Sequence, residues 1–177
     1  MKKQVFFILA LLLPLFAMAQ STAKVDKIIP QLQYDADFMT FVKYDMLDGF
    51  VPVKGIVTKM KFLNGQKVYA ISEITYAADG KSIDTRDTYF YLKDQLIAYS
   101  TEDKTEVQLY YVNGENVYAS RTITKRLYKP YGGSRTLNIA VIKLNSNFNA
   151  DKTKIERGQK LLQILKDTSK EMFGSAF

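Results

Sequence analysis

The 177-residue chain contains no cysteine, no histidine and no tryptophan. Without cysteine no disulfide can form, and a lipid-modified cysteine at a processed N-terminus is excluded. Without histidine the Ser-His-Asp arrangement and the usual imidazole general base are unavailable. With neither residue, zinc, copper and haem sites of ordinary type are excluded as well. No cofactor, no metal ion and no catalytic residue is therefore expected, and an enzyme is the least favoured function class. Long hydrophobic runs are equally scarce. The only one, from Val5 to Ala17, falls short of the roughly 20 residues that a spanning helix needs.

That run has a different use. It follows the basic start Met1-Lys2-Lys3 and precedes Ala17-Met18-Ala19, a small-x-small cleavage site. This is the pattern of a secretory signal peptide over residues 1–19. Processing would leave a chain beginning at Gln20, with no transmembrane helix. The expected location is the periplasm or the extracellular space, and the protein is not a lipoprotein. Residues 20–177 are long enough to form one domain with a proper hydrophobic core.

Charge is unevenly spread. From Gln20 to Ser120 there are 11 Lys/Arg and 14 Asp/Glu, whereas from Arg121 to Phe177 there are 12 and 4. The C-terminal third thus carries a balance of +8. Such a split suits an anionic partner, and it equally suits a solvated basic face. Export argues against nucleic acid and for anionic lipid, lipopolysaccharide or an envelope protein. Oligomeric state is left open.

Along the chain, Ala23 to Leu32 has the pattern of one or two helical turns ended by Pro30. From Leu32 to Met46 apolar residues then alternate (Leu32, Tyr34, Ala36, Phe38, Val42, Tyr44, Met46), which predicts a half-buried strand. Turn signals follow at regular spacing, among them Asn64-Gly65, Asp79-Gly80, Lys93-Asp94, Glu102-Asp103 and Asn113-Gly114. They bracket β-rich runs at about 50–62, 67–76, 86–93, 95–100, 105–112, 116–128 and 135–144. Twelve tyrosines and 11 phenylalanines fit a pleated surface with one dry face.

The period changes near Asn149. Ile155, Leu161, Leu162, Leu165, Met172 and Phe173 take helical spacing, with Gly158 and Ser169 completing the stripe. Thr153 and Glu156 have capping-box spacing, and Asn149 or Asp151 offers an earlier start. The predicted fold is mainly β in the α+β class. A curved antiparallel meander of about eight strands forms an open barrel or half-barrel, with one amphipathic helix over about 150–173 packed on it.

Candidate sites are few. Ser21-Thr22-Ala23-Lys24 matches S-x-x-K, but its companion motifs are absent and the chain is too short for that fold. Asp35, Asp37, Asp45 and Asp48 lack calcium-loop spacing. The segment from Arg121 to Arg135 is the most unusual. It places Arg121, Lys125, Arg126, Lys129 and Arg135 with Tyr128 and Tyr131 and no acid. Those seven residues are the candidate binding site for an anionic group. An edge strand protected by charge and proline has the same composition.

The texture of "FLNGQKVYAISEITY", "YFYLKDQLIAYSTE" and "VQLYYVNGENVYA" resembles small exported proteins of unknown function from Gram-negative bacteria, built as Tyr-rich β-hairpin meanders with a C-terminal helix. A broader likeness is to the LolA-like periplasmic half-barrel carriers, whose helices cover the concave face of a curved sheet. The first likeness implies a periplasmic or secreted domain without known activity. A curved sheet lined with Tyr, Phe, Val and Ile suggests an exported, non-catalytic binding or envelope-associated protein, holding a lipid or other hydrophobic ligand between sheet and helix. Two alternatives are a protein-interaction or structural envelope module without a cavity, and a small outer-membrane barrel. Several of the strands are shorter than the 9–11 residues that such a barrel requires.

Overall fold

The computed structural model of the chain describes residues 22–32, 41–47, 51–79, 82–128, 135–141 and 151–174. The proposed signal peptide lies outside them. A helix over 22–32 (α1) opens the described chain. Eight strands follow: β1 (Phe41–Leu47), β2 (Val51–Leu63), β3 (Gln66–Tyr76), β4 (Ile83–Leu92), β5 (Gln95–Glu102), β6 (Glu106–Asn113), β7 (Asn116–Tyr128) and β8 (Arg135–Val141). The chain ends in helix α2 (Lys152–Phe173). The strands pair in sequence order, each antiparallel to the next, in one open sheet. Six of them, β2 to β7, have side chains that are described in whole or in part.

Hairpin chemistry fixes this order. At the β2–β3 turn Asn64 (φ 50°) and Gly65 (φ 74°) both take the left-handed conformation that a two-residue hairpin demands. Lys93 and Asp94 do the same between β4 and β5 without glycine, at φ 51° and 61°, a conformation that non-glycine residues adopt at some cost. At the β5–β6 turn the Asp103 carboxylate accepts the backbone N–H groups of Thr105 and Glu106 at 2.6 and 2.8 Å.

Two departures from the sequence reading appear at the N-terminal end. Pro30 does not stop α1, which runs on to residue 32. Proline near the end of a helix removes one hydrogen bond, here the one that would reach back to Asp26. Burial of Leu32, 0 % exposed, holds the last turn in place. Leu32 is therefore helical and not the first residue of a strand, and β1 is described over Phe41–Leu47. The stretch 33–40 lies outside the described residues.

The second departure concerns layers. The sequence pattern predicts one helix packed on the sheet; among the described residues there are two, on opposite faces. Val25, Ile28, Ile29 and Leu32 of α1 pack against Val68, Ala70, Phe90, Ala98, Leu109, Tyr111 and Ala119. In register, Ala70, Phe90, Ala98, Tyr111 and Ala119 form one row across five strands. Small and large side chains alternate along it, so that α1 sits in the gaps that the alanines leave. On the other face Ile155, Leu161 and Leu162 of α2 pack on Tyr69, Ile71, Tyr89, Tyr91, Leu96, Tyr99, Val112 and Val117. The central strands are thus buried on both sides. This explains the unbroken buried runs Val68–Ile71 and Thr88–Tyr91, where a one-sided sheet would show alternation.

Electrostatics tie α1 down. Asp26 accepts a hydrogen bond from the Tyr111 hydroxyl at 2.6 Å and an ion-paired one from Arg121 Nη2 at 2.6 Å. Phe90, 1 % exposed, lies at the centre of the α1 face. Phe90→Ala should lower unfolding free energy by about 3–5 kcal/mol in denaturant titration. A loss below about 1 kcal/mol would mean that this face is not packed as described.

Candidate functional site

The α2 face is where a ligand between sheet and helix would sit, and its floor is made of tyrosine. Tyr91 pairs across the strands with Tyr69, and Tyr89 with Tyr99. The Tyr99 and Tyr110 rings stack with centroids 4.8 Å apart, and the Tyr89 and Tyr99 rings tilt together at 6.3 Å. Onto this floor α2 is set through a glycine. A Cβ at position 158 would stand 2.7 Å from Tyr89 Cδ1 and 3.2 Å from Leu96 Cδ2. The helix backbone therefore lies in direct contact with the sheet's side chains. The Tyr91 hydroxyl donates to the Gly158 carbonyl at 2.6 Å. No room for a lipid chain exists at that point.

Helix ends are placed by cap and charge. Asp151 is the N-cap residue and accepts the Thr153 N–H at 3.1 Å. Gly174, at φ 69°, closes the C-terminus. Glu73 and Asp87 face each other directly across β3 and β4, and two carboxylates so placed repel. Cations from α2 answer each of them. Arg157 Nε lies 3.2 and 3.1 Å from the two Glu73 carboxylate oxygens, and Lys154 pairs with Asp87. At the other end of the helix Lys166 meets Asp94 at 2.8 Å. These contacts run α2 in the direction of β4.

The five buried tyrosines Tyr69, Tyr89, Tyr91, Tyr99 and Tyr111 all have their hydroxyl pKa raised, with burial as the main cause. Tyr69 is pushed up to about 12, with the Asp94 carboxylate adding to the effect. The Tyr89 hydroxyl is buried without a hydrogen-bond partner. No acid–base pair with chemistry suited to neutral pH emerges from this set. Among the described residues no group of three or more acidic side chains is arranged to hold a metal ion.

The basic segment is divided by the structure. Arg121 is committed to Asp26 on α1. Lys125 pairs with Glu102 and also donates to the Asp103 carbonyl at 2.7 Å. Both thus brace the fold on the α1 face. Arg126 and Tyr128 continue β7, where Tyr128 pairs with Arg135 of β8. Lys129 and Tyr131 lie outside the described residues. The sequence gives no signal for the Arg121–Asp26 pair, because its partners are 95 residues apart.

Open grooves lie beside the helices. One, of about 580 Å³, runs around the sheet end between α1 and the β4–β5 and β6–β7 hairpins. Val25, Ile28, Leu96 and Val112 line it, with Lys24 and Lys93. A smaller one, of about 370 Å³, borders the Arg157–Glu73 pair together with Lys54 and Asp87. No described helix is long and apolar enough to cross a membrane.

Two outcomes follow from the helix seat. Glycine to alanine inside a helix normally adds about 1 kcal/mol. Gly158→Ala should instead lower stability, because overpacking of the Tyr89 contact costs about 1–3 kcal/mol. A stabilised variant in denaturant titration would contradict the contact. The second concerns alkaline pH. The fold holds the buried hydroxyls protonated, so their contribution to stability is complete below the ordinary tyrosine value of 10.0. It is lost as pH rises through the folded-state value, about 12 for Tyr69. Ultraviolet titration of tyrosinate should therefore show one group of tyrosines ionising near the ordinary value. The buried five should ionise only at higher pH, together with loss of structure; a single transition for all twelve would be the contrary result.

No protein-family model, no curated protein and no solved structure was found to match this chain.

Proposed function

We propose that this chain is an exported, non-catalytic binding module of the bacterial envelope that engages its partner through its outer surface and encloses no ligand between sheet and helix. The observation that carries this reading is the seat of α2. Gly158 brings the helix backbone onto Tyr89 and Leu96, and Tyr91 hydrogen-bonds to it. The space where a carrier of this shape would hold a lipid is filled by the protein's own helix. Export is supported by the basic start, apolar run and Ala17-Met18-Ala19 site. A non-catalytic role is supported by the absence of histidine and cysteine and by tyrosines whose hydroxyls stay protonated at neutral pH. The excess of cations after Ser120 favours an anionic partner, whether lipid, lipopolysaccharide or an acidic envelope protein.

A second reading keeps the hydrophobic ligand and moves it. The groove of about 580 Å³ beside α1 has the size of a small-ligand site, with Val25, Ile28, Leu96 and Val112 as its apolar lining.

Native mass spectrometry of the purified protein separates the two. The outer-surface reading expects the mass of the polypeptide alone as purified, and any adduct formed with added envelope lipid to be lost at high salt. A stoichiometric lipid that co-purifies and survives high salt would overturn it and favour the enclosed ligand.

A further inference from the structure

We infer that the β2–β3 hairpin and the adjoining flank of α2 form a docking surface for an anionic lipid bilayer, with Phe62 and Ile164 as the inserting side chains. Among the described residues these are the two large hydrophobic side chains left exposed, Phe62 at 58 % and Ile164 at 44 %. They belong to elements far apart in sequence, and the fold brings them to the same side and the same height.

The face is set by register. Met60 pairs with Tyr69 and packs against the α2-side core. Phe62, two residues on, projects to that face too. The flank is set by helical spacing. Arg157 reaches Glu73 on β3, so it marks the side of α2 that looks toward β3 and β2. Ile164 lies seven residues further, nearly two full turns, on the same stripe.

Height follows from the contact at Gly158. That residue touches the Tyr89 ring and accepts from the Tyr91 hydroxyl, between the rows of those two residues, and α2 runs from Lys154 at Asp87 to Lys166 at Asp94. Ile164 is six residues past Gly158, a rise of about 9 Å. The row containing Phe62 is two residues past Met60, about 7 Å in the same direction. Both side chains therefore emerge at the hairpin end of the sheet.

Cations surround them. Lys67 is the register partner of Phe62. The Lys93 N–H donates to the Lys67 carbonyl at 3.3 Å, which sets this exposed lysine beside it. Lys160, also exposed, stands one turn before Ile164. The neighbouring Asp94 is held by Lys166. Asp167, one turn beyond Ile164, accepts from Gln163 at 2.8 Å, and Glu171 closes the strip two turns beyond Ile164. An exposed aromatic and an aliphatic side chain within a lysine rim match a bilayer interface, where apolar groups enter the acyl boundary and lysines meet anionic head groups. A protein partner would be expected to find a pocket or groove for such anchors; here they project.

The inference rests on the outer-surface reading, and its test uses a different readout. The chain has no tryptophan, so Phe62→Trp supplies a single indole probe at an exposed position. Ile164→Trp is the second probe, in case the first variant folds poorly. Each is titrated with phosphatidylglycerol vesicles and with phosphatidylcholine vesicles. The expected result is a blue shift and protection from an aqueous quencher with phosphatidylglycerol only, reversed at high salt because exposed charges are screened. In the Lys67→Gln/Lys93→Gln/Lys160→Gln background binding should weaken by about fivefold per lysine. No shift with either lipid overturns the inference. Equal shifts with both overturn its electrostatic half, and with it the anionic partner. A shift that grows with protein concentration in the absence of vesicles would make this face a contact between copies of the chain, which also overturns it. An enclosed lipid found by mass spectrometry would leave the tryptophan response unchanged, so the two ideas fail separately.

Discussion

The contact between α2 and the tyrosine floor organises the rest of the molecule. A helix carrying a side chain at position 158 would have to stand further from the sheet, because the Tyr89 ring already lies where a Cβ would be. Glycine at that point lowers the helix onto the strands. Ile155, Leu161 and Leu162 are then buried together with Tyr69, Tyr89, Tyr91 and Leu96. The low seat also lets the Tyr91 hydroxyl, buried at 0 % exposure, find the Gly158 carbonyl as its partner. A buried hydroxyl without such a partner is costly, and Tyr89 carries that cost. Apolar burial, helix height and one hydrogen bond are therefore a single arrangement.

Electrostatics then choose where along the sheet the helix rests. Glu73 and Asp87 sit side by side on adjacent strands, a pairing that the sheet alone would disfavour. Arg157 and Lys154 resolve it from above. Each ion pair is partly exposed and worth little in isolation. Together with Lys166 on Asp94 they fix the direction of α2 along β4. The opposite face follows the same plan on a smaller scale, with Asp26 of α1 shared between Tyr111 and Arg121. The sheet is thus held between two helices, and what is left for a partner is the outer surface and the hairpin ends.

Much of this was legible in the residues. The helical stripe from Ile155 to Phe173 and the turn dipeptides Asn64-Gly65 and Lys93-Asp94 are local signals, and local signals survive folding. The end of α1 was not legible. Pro30 reads as a stop, and Leu32 happens to continue an alternating pattern, although its burial belongs to a helix. Burial of the sheet on both faces was also hidden, because tyrosines such as Tyr69 and Tyr91 suit a wet face as well as a dry one. The basic segment was the least legible. Which cation is spent on the fold depends on an acid far away in sequence, as Asp26 is for Arg121. The strip around Phe62 and Ile164 escaped for a similar reason, since 102 positions separate its two halves.

The direct measurement is a nuclear Overhauser experiment on the isotopically labelled protein, observing the Gly158 α-protons. The account predicts strong cross-peaks to the Tyr89 ring and the Leu96 methyl groups, unchanged when lipid is added. Absence of those cross-peaks in the folded protein, or their replacement by contacts to added acyl chains, would show that the helix stands off the sheet and that the space beneath it is a ligand site.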